Sequence, residues 1–169
     1  MIETLVPYRH PMPQDAASDI VIHDVVPVDE KLWVPQADGV SFRPLCLCAS
    51  RGYWVNLLRV RRSGFLSRHR HPQPVHGYVI KGSWRYLEHD WIATEGSYVY
   101  EPPGETHTLV VDPDVKEMIT MFQVNGAMIY VDPDGQVQAY EDVFTKIEMC
   151  RRHYLSVGFG ESFVNQFIR

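Results

Sequence analysis

Four of the eight histidines, His69, His71, His76 and His107, fall in one pattern. His69 and His71 flank Arg70. On a β-strand, residues two apart point to the same face. The two imidazoles are therefore expected side by side in an interior, with Arg68 and Arg70 turned outward. Two imidazoles on one strand can chelate one ion, and a third, His107, is expected from a facing strand. The loop Pro102-Pro103-Gly104 sets that strand's approach. Neutral imidazole suits Fe, Zn, Cu and Ni. A lone His-x-His is weak evidence, because such pairs are common on surfaces. Here the pair is joined by flanking glycines (Gly64, Gly82, Gly96), a Pro-x-Gly and the later histidine. Glu101 ends the run before Pro102. Turned inward it is a general base for a substrate hydroxyl, and turned outward a rim carboxylate. Alternation cannot be carried through Pro102 to choose between these.

The elements around these residues read as all-β from Trp33 to Val131. Expected strands are 40–48, 53–62, 65–71, 75–81, 83–88, 97–101, 106–112, 117–124 and 127–131. Many short strands at near-even spacing favour a sandwich or closed barrel over a parallel sheet. Asn125-Gly126 between two apolar runs predicts a hairpin through a type I′ turn. Asp132-Pro133-Asp134-Gly135 is expected to close the β region. The period then changes: Val143, Phe144, Ile147, Cys150 and Tyr154 form a helical stripe over 142–154, with Asp142 as N-cap. This helix is expected on the outside of the barrel. The division is an N-terminal arm (1–32), a β-barrel (33–135) and a helical extension (136–169).

The formal net charge of −5 argues against a general nucleic-acid partner. No apolar run approaches the ~18 residues of a membrane span, and Met1 to Thr4 do not begin a secretory leader. A cytoplasmic protein with no membrane partner is expected. Three cysteines read as reduced thiols. Cys46 and Cys48 are same-face residues of a strand, buried as small apolar groups, in preference to a metal pair. Aromatic residues make up 12% of the chain. Trp54, Tyr78, Trp84, Tyr98, Tyr100 and Tyr130 are candidates for lining an aryl pocket, most of them as core. Arg59 and Arg61 are expected on the outer face of their strand, opposite Leu58 and Val60. Association as a dimer or tetramer would cover exposed sheet edges.

At these residues the chain resembles the cupin superfamily. The family's second motif of Gly, Pro-x-Gly and His is matched by Gly96, Pro102, Gly104 and His107, with Val111 where the family often has Asn. Its first motif of Gly, His-x-His, Glu and Gly is matched less closely. Gly64 to His69 and His76 to Gly82 are each one residue short, and His76 stands where the family usually has a Glu ligand. The resemblance covers about residues 33–131 and implies a single cupin jelly-roll (double-stranded β-helix) barrel with a C-terminal α-helix. Within the superfamily the chain is most similar to the 2,4′-dihydroxyacetophenone dioxygenase group. That likeness extends through Trp33-Val34-Pro35, the stretch from Asn125 to Tyr130 and the C-terminal helix.

The resemblance implies metal ligands His69, His71 and His107. His76 is either a fourth ligand or a withdrawn catalytic acid/base group. It implies a non-haem Fe(II) site, with Zn or Ni as purified alternatives. The expected reaction is oxidative C–C cleavage of an aryl hydroxyketone by O2 to an aryl carboxylate and formate. A site without a carboxylate would leave the ion's charge uncompensated and favour an anionic chelating substrate. A β-diketone-cleaving dioxygenase, an isomerase using another metal, and a non-enzymatic zinc-binding sensor or regulatory module are the alternatives.

Overall fold

The computed structural model describes residues 5–169; Met1 to Thr4, and the leader reading drawn from them, lie outside the described residues. Two six-stranded antiparallel sheets face each other. The first takes the order β1 (Val34–Ala37), β2 (Val40–Cys48), β3 (Tyr53–Val60), β10 (Met118–Asn125), β5 (Val75–Lys81), β8 (Tyr98–Glu101). The second is β12 (Val137–Asp142), β11 (Ala127–Val131), β4 (Gly64–Arg70), β9 (Thr106–Val111), β6 (Ser83–Tyr86), β7 (Ala93–Thr94). From β3 to β5 and again from β8 to β11 the chain changes sheet at every connection. This is the jelly-roll expected from the sequence. It brings strands far apart in the chain, such as β4 and β9, into direct register.

The connection at Asn125-Gly126 corrects the expected hairpin, because β10 and β11 lie in different sheets and do not pair. No non-glycine residue among those described has positive φ, so a type I′ turn is excluded there. Gly126 alone, at φ 76°, turns the chain toward the opposite sheet. The Asn125 side chain instead donates to the Pro74 carbonyl at 2.7 Å and ties down the start of β5. Gly82 turns β5 into β6 at φ 71°, and any Cβ there would strike the Glu117 carbonyl.

Inward residues of both sheets form one core that includes Phe42, Trp54, Val79, Trp84, Met118, Phe122 and Val124. The outer face of the first sheet carries a smaller cluster of Trp33, Leu57 and Ile119, packed by Val25 and Val26 of the N-terminal arm. Residues 20–28 form no strand. Arg59 sits on this outer face as expected, but the arm buries it: its guanidinium lies 4.0 Å from the Trp33 ring and bonds Glu30 at 2.7 Å.

The β region runs on past Gly135, because β12 pairs with β11 from Ala127↔Asp142 to Val131↔Val137. The helix α1 (Val143–Ser156) follows at once, with Asp142 accepting from the Thr145 N–H in a capping box. Val143, Ile147, Cys150 and Tyr154 join the main core, whereas Phe144 is exposed, off the expected stripe. Lys146 takes its place on the buried side. The helix packs on β1, β2 and β12 and so closes one side of the space between the sheets. All three cysteines are free. Among the described residues, no helix is long and apolar enough to cross a membrane.

Candidate metal centre

β4 carries Ser67 and His69 on its inward side, and His71 follows just past its last residue. In β9, His107 is the direct cross-strand partner of His69, and their ring centroids are 4.7 Å apart. The expected facing-strand position of His107 is thus corrected: it comes from the neighbouring strand of the same sheet. The group from the facing sheet is Glu101. On β8, Tyr98 and Tyr100 are exposed while Val99 and Glu101 turn inward, and Glu101 pairs with the equally buried Val75 of β5. Alternation therefore holds as far as Glu101, which points inward.

His69, His71, Glu101 and His107 are all buried and each offers an atom within 4.8 Å of the others. No other such group of three or more occurs among the described residues. His71 Nε2 lies 3.0 Å from Glu101 Oε2 and 3.3 Å from His107 Nε2, which is 3.5 Å from the same oxygen. His71 Nδ1 donates to the Gln73 carbonyl at 2.8 Å, so its Nε2 is an acceptor. Ser67 Oγ meets His69 Nδ1 at 3.1 Å, leaving the other nitrogen for the group. Ring nitrogens and a carboxylate oxygen from separate strands thus crowd one point, an arrangement that suits a cation. Ligand atoms bound at about 2.0–2.2 Å around one ion sit roughly 3–3.5 Å apart; the separations among His71, Glu101 and His107 fall in that range, and His69 lies within 4.8 Å of them.

Protonation agrees with this. Burial holds His69 well below the ordinary imidazole value, with the neighbouring His107 and His71 adding to the effect. Burial likewise lowers His107, against an opposing pull from Glu101. Neutral imidazoles are the metal-binding form.

The supporting shell is specific. Tyr86 on β6 donates to Glu101 Oε1 at 2.8 Å and stacks on His107, with centroids 3.8 Å apart and an interplanar angle of 7°. Burial first, then the Glu101 carboxylate, holds the Tyr86 phenol well above its ordinary value, so it remains a donor. His107 Nδ1 is buried without a hydrogen-bond partner, and the nearest acid is Glu105, whose Oε2 lies 3.9 Å away. His89 holds the other oxygen of Glu105 at 2.9 Å.

His76 does not join the group, which corrects its expected roles as ligand and as acid/base residue. Val75, Gly77 and Val79 point into the barrel, so His76 lies on the outer face of β5, where Nδ1 contacts Tyr98 Oη at 2.8 Å. The site is also not free of carboxylate, because Glu101 supplies one from another strand. Nor do Cys46 and Cys48 contribute.

The group opens into a cavity of about 390 Å³ between the sheets. Its walls are largely apolar, with Val40, Trp54, Leu58, Leu109, Phe122 and Val124 among them. Of the aromatic candidates, Trp54 and Tyr130 line it. Trp84 is core, and Tyr78, Tyr98 and Tyr100 are exposed.

Known structures share this architecture. An RmlC-like cupin protein from Ralstonia eutropha JMP134 is 30% identical, with a TM-score of 0.70 over 73% of this chain and 82% of that one. An acetylacetone dioxygenase from Acinetobacter johnsonii has a TM-score of 0.69 over 85% of this chain and 97% of that one, at 16% identity. The anti-sigma protein ChrR of Rhodobacter sphaeroides, in complex with SigE, has a TM-score of 0.50 over 60% of this chain and 54% of that one, at 17% identity. At such identities the last two show likeness of fold alone. No curated protein matches the chain. Residues 22–128 match the ChrR cupin-like domain, and the chain belongs to that family.

Proposed function

We propose that this chain is a non-haem iron dioxygenase that cleaves a C–C bond of an aryl hydroxyketone. The observation that carries this reading is the convergence of three imidazoles and one carboxylate beside a mostly apolar cavity between the sheets. The balanced reaction takes an aryl hydroxymethyl ketone and one O2 to an aryl carboxylic acid and formic acid. The fold of an acetylacetone dioxygenase supports oxygenase chemistry on this scaffold.

His69, His71 and His107 would hold the ion, with Glu101 beside it. Bound Fe(II) would supply a Lewis acid and template for the ketone oxygens and the redox partner for O2. The chain supplies the rest. The Gln73 carbonyl and Ser67 hydroxyl orient His71 and His69. Tyr86 pins Glu101 Oε1 and leaves Oε2 turned to the histidines, where its negative charge would offset part of the ion's. The apolar walls take the aryl ring and keep water away from it.

Anaerobic purification with metal quantification, followed by oxygen-electrode assays with aryl hydroxyketones and β-diketones, tests this. Iron as purified and O2 uptake with a hydroxyketone are expected. A second reading, a zinc-binding regulatory module, is favoured by membership of the ChrR-like family over residues 22–128. Tightly held zinc with no O2 uptake on any ketone would establish that reading in place of the first.

A further inference from the structure

A second polar group lines the same cavity. Gln36 of β1, Tyr130 of β11, Glu141 of β12 and Lys146 of α1 meet there. Lys146 Nζ donates to Gln36 Oε1 at 2.9 Å and pairs with Glu141 Oε2 at 3.0 Å. The Tyr130 hydroxyl donates to Glu141 Oε2 at 2.9 Å and accepts from Gln36 Nε2 at 3.3 Å. Tyr130 links the two polar groups, since its ring centroid lies 6.2 Å from that of His69.

A lysine only 2% exposed is a costly way to seat a helix. Removing an ion pair from water is costly, and apolar residues of similar volume often serve as well or better. Burial accordingly lowers Lys146, with Glu141 opposing. The hydrogen-bond inventory shows what the cluster lacks. The Lys146 ammonium is committed to Gln36, to Glu141 and to the face of Phe42, 4.3 Å from the ring centroid. The Tyr130 hydroxyl both donates and accepts. Among the described residues, nothing donates to Glu141 Oε1; all contacts of that carboxylate fall on Oε2. The open valence is an acceptor held in place by a lysine and a tyrosine.

We propose that Gln36, Tyr130, Glu141 and Lys146 form a specificity subsite for a neutral hydrogen-bond donor, a hydroxyl group on the part of the substrate remote from the histidines, with Glu141 Oε1 as its acceptor. This rests on the histidine group being the anchoring end of the substrate. A carboxylate or other anion at the remote end would meet Glu141 and be excluded. A ring hydroxyl stays protonated at neutral pH and satisfies the subsite. Sites built to bond a substrate hydroxyl reject analogues lacking it, because the protein's own polar group is then left unpaired.

The test is calorimetric binding of aryl methyl ketones to the anaerobically purified protein, comparing ring-hydroxyl compounds with ring-fluoro compounds of similar size. The hydroxyl series should bind about tenfold tighter or more, the worth of one hydrogen bond to a charged acceptor. In Glu141→Gln, the amide oxygen remains with Lys146 and Tyr130 and the amide NH2 replaces the free acceptor, so the preference should collapse to within about threefold or invert. Equal binding of the two series to the wild-type protein overturns the proposal without any variant. So does undiminished preference in Glu141→Gln, or no binding of either series at millimolar concentration. O2 uptake is scored separately. A protein that discriminates but consumes no O2 keeps the subsite and loses the oxygenase; one that consumes O2 with a β-diketone but does not discriminate keeps the oxygenase and loses the subsite.

Discussion

Replacing Tyr86 by Phe removes one oxygen atom and isolates one bond. Tyr86 and Glu101 are 2% and 3% exposed, so little water reaches the bond they share. The ring stacked on His107 at 3.8 Å is retained by Phe, which separates the hydrogen bond from the packing. A hydrogen bond to a charged group contributes about 1.5–3 kcal/mol, and an acceptor left buried without its donor carries the cost of desolvation. For a chain of this length, about 2–4 °C per kcal/mol converts that loss into a fall in Tm of about 3–12 °C. Freed of Tyr86, Glu101 also loses its fixed orientation toward His71. Loss of an outer partner of this kind typically weakens metal binding about 10–100-fold. Scanning calorimetry on the metal-free protein reads the first effect and competition against a chelator reads the second. A Tyr86→Phe protein with Tm within about 1 °C of wild type and unchanged metal affinity would refute the argument that Tyr86 organises Glu101.

Three further outcomes follow from the same geometry. His107→Ala should lose metal retention and O2 uptake together; retained iron with full uptake would remove His107 from the site. His76→Ala should keep its metal and change stability by less than about 0.5 kcal/mol, as for other surface positions, and metal loss in that variant would return His76 to the centre. Acid should weaken the fold through Glu88 and Glu117. Burial raises each, but Thr108 on Glu88, and Lys81 and Arg61 on Glu117, bring both below the ordinary carboxylate value. The unfolded chain then binds protons first as pH falls. Their contribution is whole above the ordinary value of 4.5 and drains away as pH drops through the lower folded values. Denaturant midpoints followed from about pH 6 to about pH 3 should fall, and a Glu88→Gln/Glu117→Gln protein should show the shallower decline.

Period-two spacing made His69 and His71 legible as a pair, and Pro-x-Gly placed His107, because those signals are local. What the sequence concealed depends on pairing between distant strands. Tyr86 matters only because β6 lies beside β9, which stacks its ring on His107. β1 begins Val34-Pro35, a composition tolerated on an edge strand but not one that announces a strand. β12 escaped because most of its residues are exposed and its string has no apolar alternation. Asn125-Gly126 carries the same local signature whether the chain folds back on its own sheet or crosses to the other. Lys146 lies one position before Ile147 on the buried side of α1, where helical spacing alone would place it; lysines are so seldom buried that the residue type masks the spacing.

Supplying the carboxylate from β8 in place of the His76 position on β5 alters what the centre asks of a ligand. Three neutral imidazoles leave a divalent ion two charges in excess, and Glu101 beside it removes one. Uncompensated charge in a buried site is expensive, so the remaining single charge selects a monoanion over a dianion or a neutral molecule. The deprotonated form of a hydroxyketone meets that requirement, and so does the enolate of a β-diketone. Charge at the centre therefore cannot separate the two substrate classes. The separation must come from the other end of the cavity, where Glu141 offers an acceptor that a ring hydroxyl can fill and an alkyl diketone cannot. If Glu141→Gln narrowed the gap between hydroxyketone and diketone turnover while Glu101→Gln slowed both alike, charge and specificity would be assigned to different carboxylates. Equal slowing of both substrates by both variants would show that the two groups act as one site.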